Sequence, residues 1–120
     1  MGITKAEALK AVDRERGPVC EASDRIWDQP ETAFQEFHST DVLCELLEKE
    51  GFRVERNLAG IATAFSGTYG SGKPVVGILG EFDALSGLSQ ESESLEKTAL
   101  VDGAPGHGCG HNLLGTGSVA

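Results

Sequence analysis

Three side chains that can bind a metal ion alternate with glycine in the segment His107–His111. Alternate side chains of an extended segment point to the same side, so Cys109 and His111 could bind one ion or a close pair of ions, with His107 the weakest candidate. The glycines allow unusual φ/ψ values and a close approach of the backbone to a bound group. The spacing predicts a metal site; the alternative is a glycine-rich turn carrying a buried thiol and two solvated imidazoles.

Two carboxylates, Glu81 and Asp83, directly follow an apolar run at residues 74–79. The run shows no alternation, which is typical of an interior strand covered on both faces. Ligands and catalytic groups in open α/β sheets gather outside the carboxyl ends of strands. The position therefore favours a functional role for both carboxylates, and the alternative is a solvated acidic turn.

The three cysteines, Cys20, Cys44 and Cys109, are widely spaced and odd in number. This pattern argues against a disulfide framework and favours reduced thiols. Cys44 lies in an apolar helical run and is predicted to be in the core. Cys109 has a second interpretation as a redox or nucleophilic thiol with a neighbouring histidine as its base, which the absence of a CxxC pair disfavours.

The length of 120 residues suits one domain or part of one. A net charge of -9 disfavours nucleic-acid and anionic-membrane partners, because both require a basic surface. There is no long apolar run, and the chain begins with a charged helix-like pattern instead of a signal-peptide core. We therefore expect a soluble, cytoplasmic protein that acts on a small molecule or peptide.

Helices are predicted in the first half of the chain. Thr4 and Glu7 have the spacing of a capping box, so a helix should begin near Thr4. Gly17–Pro18 is expected to interrupt this helix. The helix is expected to resume after Pro18 and to end before Pro30. Apolar residues at helical spacing predict a second helix from Ser39 or Thr40 to Glu50, with Gly51 as its C-terminal cap.

The second half is predicted to contain strands, a loop and the start of another helix. Strands are expected at residues 52–56, 61–65 and 75–79, with a turn at 70–73. Residues 85–106 are polar and aperiodic, which indicates a long loop. The predicted class is α/β, with two helices, a three-stranded part of a mixed sheet, the loop and a further helix from 112. That helix has no C-terminal cap, so we expect the sequence to be part of a longer protein.

Three groups of residues resemble, in order, the N-terminal part of the zinc aminoacylase and carboxypeptidase family of amidohydrolases. They are Trp27 with Pro30, Glu31 and Phe34, then Gly80–Leu85, then Gly106–Asn112. The resemblance covers nearly the whole chain. It implies that residues 1–120 form the N-terminal portion of the catalytic domain of a two-domain hydrolase. The rest of that domain and a second domain, serving as lid and for dimerisation, would lie outside this sequence.

The resemblance implies a metal-dependent amide hydrolase. Its substrate would be an N-acyl or N-aroyl amino acid, such as p-aminobenzoyl-glutamate, or a dipeptide, cleaved by a metal-activated water. A complete site would hold two divalent ions, zinc or manganese, and the full-length protein could form a homo-oligomer or hetero-oligomer. The family's glutamate pair and remaining ligand histidines would follow Ala120, so the chain alone is expected to be inactive. The alternative is a non-catalytic fragment or partner that keeps the fold and weak metal binding.

The resemblance also implies roles for individual residues. Cys109 and His111 match metal ligands of the family, and Asp83 matches an acidic residue that orients a ligand or bound water. Glu81 stands where other branches have a ligand histidine, so it either binds the metal weakly or supports a ligand residue. His107 is expected to hold the loop by hydrogen bonds, or to act as a further ligand.

Overall fold

The computed structural model describes residues 2–120, which contain three helices and a two-stranded antiparallel sheet. The elements are α1 (Lys5–Asp28), α2 (Phe37–Lys49), β1 (Arg53–Arg56), a short 3-10 helix (Leu58–Gly60), β2 (Phe65–Thr68) and α3 (His111–Val119). The predicted α/β class and the predicted third helix are both confirmed. None of the helices within residues 2–120 has the length and apolar character needed to cross a membrane.

Helix α1 is continuous over its 24 residues. Its start follows the predicted capping box, since the Glu7 backbone N–H donates to the Thr4 hydroxyl at 3.3 Å and the Thr4 N–H donates to the Glu7 carboxylate at 2.8 Å. The prediction that Gly17–Pro18 interrupts the helix is wrong. The proline costs one backbone hydrogen bond, but Ala22 and Ile26, one and two turns later, are buried in the core and keep the helix in place.

Helix α2 begins at Phe37, two or three residues before the predicted start. Its free backbone N–H groups are satisfied by the Glu31 carboxylate, which accepts from the N–H of His38 at 2.9 Å and from the N–H and hydroxyl of Ser39, both at 2.8 Å. A carboxylate at this end of a helix is also favoured by the helix dipole. The loop after α1 therefore fixes the start of α2.

Gly51 ends α2, as predicted. Its φ of 83° is a left-handed conformation that glycine adopts without strain. The Gly51 N–H donates to the Glu48 carbonyl and the Phe52 N–H to the Leu47 carbonyl, both at 3.0 Å. This pair of bonds satisfies the last carbonyls of the helix and directs the chain into β1.

The sheet has two strands where three were predicted. β1 confirms the first predicted strand, but β2 begins only at Phe65. Residues 58–64 form the 3-10 helix and a turn instead, and the Leu58 N–H donates to the Ala64 carbonyl across that turn. β1 and β2 pair antiparallel, with Arg53 opposite Thr68. The predicted mixed sheet is corrected to a two-stranded antiparallel one within the described part of the chain.

The third predicted strand, residues 75–79, belongs to no sheet in the described part of the chain. Its apolar side chains are among the most exposed in the molecule, from 77% at Ile78 to 87% at Leu79. An apolar run predicts a buried strand, but a strand also requires a hydrogen-bonded neighbour. No such neighbour is present within residues 2–120.

The core lies between the three helices and β2. Its buried members are Ala22, Ile26, Val42 and Leu43, and the partly buried side chains of Leu46, Phe65, Phe82 and Val119 pack against them. Cys44 is completely buried, as predicted, and burial raises the pKa of its thiol to about 11.

The long loop at residues 85–106 is confirmed, and it folds back on itself. Leu85 and Gly106 exchange both backbone hydrogen bonds at 3.0 Å, and the Ser89 N–H donates to the Ala104 carbonyl at 3.0 Å. These bonds close the base of the loop. They also bring the segment that carries Asp83 beside the start of the histidine-rich segment, although the two are far apart in sequence.

Candidate metal centre

The acidic segment is held by backbone contacts on both sides. The Ala84 N–H donates to the Glu31 carbonyl at 2.7 Å, and Thr32 and Ala84 form a parallel bridge. Ala84 itself is buried. Glu81 and Asp83 therefore belong to a segment whose path is set by the loop after α1 and by the base of the long loop.

The histidine-rich segment is a tight turn and not the extended strand that the alternating spacing suggested. The Gly110 N–H donates to the His107 carbonyl at 2.9 Å, and Gly110 has a left-handed φ of 80°. The Gly110 carbonyl then accepts from the N–H groups of Leu113 and Leu114, which begins α3. In this turn, His107 contacts the Ile26 carbonyl and lies beside Trp27, and it forms no hydrogen bond with Cys109 or His111 in the described part of the chain.

Helix α3 comes very close to the acidic segment at Gly115. A Cβ placed there would lie 2.8 Å from the Phe82 Cβ and 3.3 Å from the Glu81 carbonyl oxygen. The Asn112 side-chain amide donates to the Ser23 hydroxyl at 3.0 Å, which fixes the other side of α3 to α1. The approach at Gly115 places His111, at the first turn of α3, opposite Asp83.

His111 is the centre of a cluster of possible metal ligands. Its Nδ1 lies 2.8 Å from the Asp83 Oδ1, and its Nε2 lies 3.6 Å from both the Cys109 Sγ and the Glu81 Oε2. A carboxylate can only accept, so Nδ1 carries the proton of the neutral ring and the lone pair is on Nε2. The half-buried imidazole thus directs its free lone pair toward a thiol and a carboxylate.

The donor set fits a divalent metal. Metal bonds of about 2.0 Å to nitrogen and oxygen and about 2.3 Å to sulfur, at tetrahedral angles, separate two ligand atoms by about 3.5 Å. The observed separations from the His111 Nε2 to Cys109 and Glu81 are 3.6 Å. The group whose potential ligand atoms all lie within 4.8 Å of one another consists of Glu81, Asp83 and His111, and Cys109 joins it only through its contact with His111. A thiolate, an imidazole and a carboxylate are all established zinc ligands.

His107 does not join this cluster. Only 4% of the residue is exposed, and its Nε2 lies 3.2 Å from the Ile26 carbonyl, at the end of α1. Its ring centroid is 6.4 Å from that of Trp27. Burial lowers the pKa of His107, and the bond to Ile26 acts in the opposite direction. The contact with Ile26 agrees with a role in holding the loop, which stays a prediction.

The alternative interpretation of this segment, a glycine-rich turn, requires a buried Cys109 thiol and two solvent-exposed histidines. The structure does not show this pattern of burial. Cys109 is exposed, His107 is buried and His111 is half-buried.

Two residues that help to position the histidine-rich turn and α3, Trp27 and Gly115, were not identified from the sequence. An aromatic residue at the end of a helix is typical of core packing, yet Trp27 faces His107. The small residues of α3 predicted close packing on a sheet, but Gly115 packs on the acidic segment instead. Glycine therefore indicated the close packing of the helix and did not indicate what it packs against.

Comparison with known proteins gives three relatives, and no family model matches the chain. A p-aminobenzoyl-glutamate hydrolase subunit of Escherichia coli (strain K12) is 48% identical over 92% of this chain and 23% of its own length. The thermostable carboxypeptidase 1 of Saccharolobus solfataricus is 32% identical over 73% of this chain and 22% of its own length. The human Xaa-Arg dipeptidase is 27% identical over 93% of this chain and 25% of its own length.

The chain therefore spans about a quarter of the length of the relatives that it matches. All three relatives carry the names of hydrolases. The first of them aligns over 110 residues, which is nearly the whole chain.

Proposed function

Because the chain belongs to the aminoacylase and carboxypeptidase family of amidohydrolases, we propose that residues 1–120 form the N-terminal portion of the catalytic domain of a metal-dependent amide hydrolase. The proposed substrate is an N-aroyl or N-acyl amino acid such as p-aminobenzoyl-glutamate, in line with the name of the Escherichia coli relative. A dipeptide is the second substrate class, in line with the name of the human relative. The Escherichia coli relative is named as a subunit, which supports assembly into an oligomer.

One observation carries the proposal: a thiol and a carboxylate both lie 3.6 Å from the His111 Nε2, the separation expected of ligands that share an ion. Cys109 and His111 would hold the ion, and Glu81 would be the third ligand. When bound, zinc or manganese would polarise the scissile carbonyl and make a bound water acidic. The thiolate favours zinc. We propose two ions for the complete site, with further donors and a general base from outside residues 1–120.

Asp83 orients the site. Its carboxylate accepts a hydrogen bond from the Nδ1–H of His111 at 2.8 Å, which keeps the ring in the tautomer that offers Nε2 to the ion. Glu81 has a different role, because its side chain is 62% exposed and is free to move toward an ion. In this proposal Asp83 is the positioning carboxylate and Glu81 the coordinating one.

The test is metal binding by calorimetry with zinc and with manganese. The 120-residue chain should bind zinc weakly, and a Cys109→Ser/His111→Ala double variant should lose that binding. A Cys20→Ser/His38→Ala double variant removes the same two residue types elsewhere and should bind as the parent does. Equal binding by all three chains, or binding by none, would refute the metal centre. Hydrolysis of p-aminobenzoyl-glutamate should be absent in the isolated chain. The alternative interpretation is that the chain is a non-catalytic fragment or partner that only binds metal.

A second candidate function uses the same geometry without a metal. Cys109, His111 and Asp83 stand in the order nucleophile, base and orienting carboxylate, joined by contacts of 3.6 Å and 2.8 Å. A thiol hydrolase of this kind would form an acyl-enzyme on Cys109 and would be insensitive to chelators. The test is incubation with an activated ester in excess chelator, followed by mass spectrometry. Acylation of Cys109 without acylation of Cys20 would favour the thiol hydrolase over the metal centre.

A further inference from the structure

The apolar segment at residues 75–79 has an unpaired backbone as well as exposed side chains. Within residues 2–120, none of its N–H or carbonyl groups is hydrogen-bonded to another backbone group. The exposed fractions of Val75, Val76 and Leu79 are 83%, 82% and 87%. The chain makes no turn between residues 75 and 83, so the free groups follow one another along a straight path. An extended segment of this kind is a template for pairing with another strand.

The segment projects from the folded body, which it joins at Gly80. A Cβ placed at Gly80 would lie 2.6 Å from the Ser118 Oγ, and Phe82 packs against the core. A Cβ placed at Gly77 meets no atom within 4 Å outside its two chain neighbours. The backbone of residues 75–79 is therefore accessible to a second chain.

The charges at the two ends of the segment determine which strand direction fits. Lys73 precedes the segment and Glu81 follows it, and both residues are exposed. Antiparallel pairing of two copies brings Lys73 of each copy beside Glu81 of the other, whereas parallel pairing would place like charges together. The segment itself carries no charge. It is therefore complementary to itself in the antiparallel direction.

The overlap of apolar side chains determines the register. Full overlap of the two segments places Gly77 of one copy opposite Gly77 of the other, on a two-fold axis. In that register Val75 lies opposite Leu79, and Val76 lies opposite Ile78, so apolar side chains form cross-strand pairs. The same register places the lysine that precedes the segment directly opposite the glutamate that follows it.

From these observations we propose that residues 75–79 are an interaction surface for a second copy of this chain, with which they form an antiparallel pair of β-strands centred on Gly77. The proposal is independent of the proposed function, since none of these residues belongs to the cluster around His111. The net charge of -9 on each copy opposes the addition of further copies. The expected assembly is therefore a dimer.

Sedimentation equilibrium in excess chelator tests the association without any contribution from metal ions. Physiological salt screens charges that lie more than about 8 Å apart and leaves the close ion pairs. The average mass should rise with concentration from that of one chain toward that of two. Lys73→Glu should raise the dissociation constant about tenfold, because two exposed attractions become repulsions. Lys97→Glu makes the same charge change in the long loop and should have a much smaller effect.

Three results of this experiment would overturn the proposal. They are a mass of one chain at every concentration, a mass that rises beyond two chains, and equal effects of the two lysine variants.

Disulfide cross-linking tests the register in a Cys20→Ser/Cys109→Ser background, whose remaining cysteine, Cys44, is buried. Gly77→Cys should cross-link on mild oxidation, because the Cα atoms of directly opposite residues lie about 4.5–5.5 Å apart. Val75→Cys should not, because four residues, or roughly 13 Å, separate position 75 of one copy from position 75 of the other. Both positions are exposed, so both variants should fold as the parent does. Equal cross-linking of the two variants, or none in either, would refute the antiparallel pair.

Discussion

The pair Asp83 and His111 is the most consequential contact at the scale of single residues. It joins side chains 28 positions apart at 2.8 Å and determines which nitrogen of the imidazole is free. Cys109 and Glu81 matter only because that free nitrogen faces them. The chemistry of the cluster therefore depends on a carboxylate that need not touch the ion.

Asp83→Asn should lower zinc affinity about 10-fold to 100-fold, the usual effect of losing a carboxylate that supports a ligand histidine. The asparagine can present its NH₂ group to Nδ1, which moves the ring proton to Nε2 and removes the lone pair from the site. Calorimetry measures the change. Asp102→Asn, an exposed acid in the long loop, is the matched control, and an unchanged dissociation constant in Asp83→Asn would show that Asp83 does not orient His111.

The three cysteines should differ in alkylation by iodoacetamide. Cys20 and Cys109 are exposed, whereas Cys44 is buried and its raised pKa of about 11 leaves roughly one thiol in a thousand ionised at pH 8. Peptide mapping should find Cys44 unmodified in the folded chain. Zinc should protect Cys109 and leave Cys20 reactive in the same sample. Equal protection of both, or of neither, would contradict a role for Cys109 as a ligand.

At the scale of elements, the glycines of the first two helices have opposite conformational requirements. Gly17 is inside α1, and a Cβ there meets no atom within 4 Å outside its two chain neighbours, whereas Gly51 has a φ of 83°. Gly17→Ala should change the free energy of unfolding by less than about 0.5 kcal/mol, because the gain in helix propensity is offset by the contact of the new Cβ with the Pro18 ring. Gly51→Ala should destabilise the chain by about 1 kcal/mol, because alanine is strained in the left-handed region. Urea unfolding measures both, and a loss in Gly17→Ala as large as that in Gly51→Ala would disprove this account.

The packing of α3 on the acidic segment is the second prediction at this scale. Gly115→Ala places a Cβ 2.8 Å from the Phe82 Cβ, so the helix must shift, at a cost of about 1–3 kcal/mol. The shift should separate His111 from Asp83 and weaken zinc binding as well. Gly117→Ala, in the same helix with open space around its Cβ, should do neither. If Gly115→Ala lost stability but kept its zinc affinity, the packing at Gly115 would not be what positions His111 opposite Asp83.

At the scale of the whole molecule, the apolar segment 75–79 is left uncovered within the described part of the chain. Exposed apolar patches of this kind bind apolar dyes and promote association. The chain should therefore enhance the fluorescence of Nile red, an uncharged dye, despite its net charge of -9. A Val76→Ser/Ile78→Ser variant should lose at least half of the enhancement. Leu9→Ser/Val12→Ser, on the exposed face of α1, is the control, and an equal loss there would contradict this assignment.

Much of the architecture could be predicted from local patterns. The capping box at Thr4, the apolar spacing of α2 and the left-handed glycine at 51 each involve residues within a few positions of one another. Such hydrogen bonds form between neighbours, so the sequence around them contains the necessary information. The same is true of the identity of the candidate ligands, since residue type alone determines whether a side chain can bind a metal.

Contacts between distant residues decided the rest. Pro18 stays within a helix because later turns of α1 are buried, and residues 75–79 form no strand because a strand needs a partner that no local pattern supplies. The turn at Gly110 separates His107 from Cys109, although their spacing suggests a shared face. The sequence alone therefore determined which residues could do the chemistry. Tertiary structure decided which of them meet, because burial and long-range hydrogen bonds are properties of the folded chain.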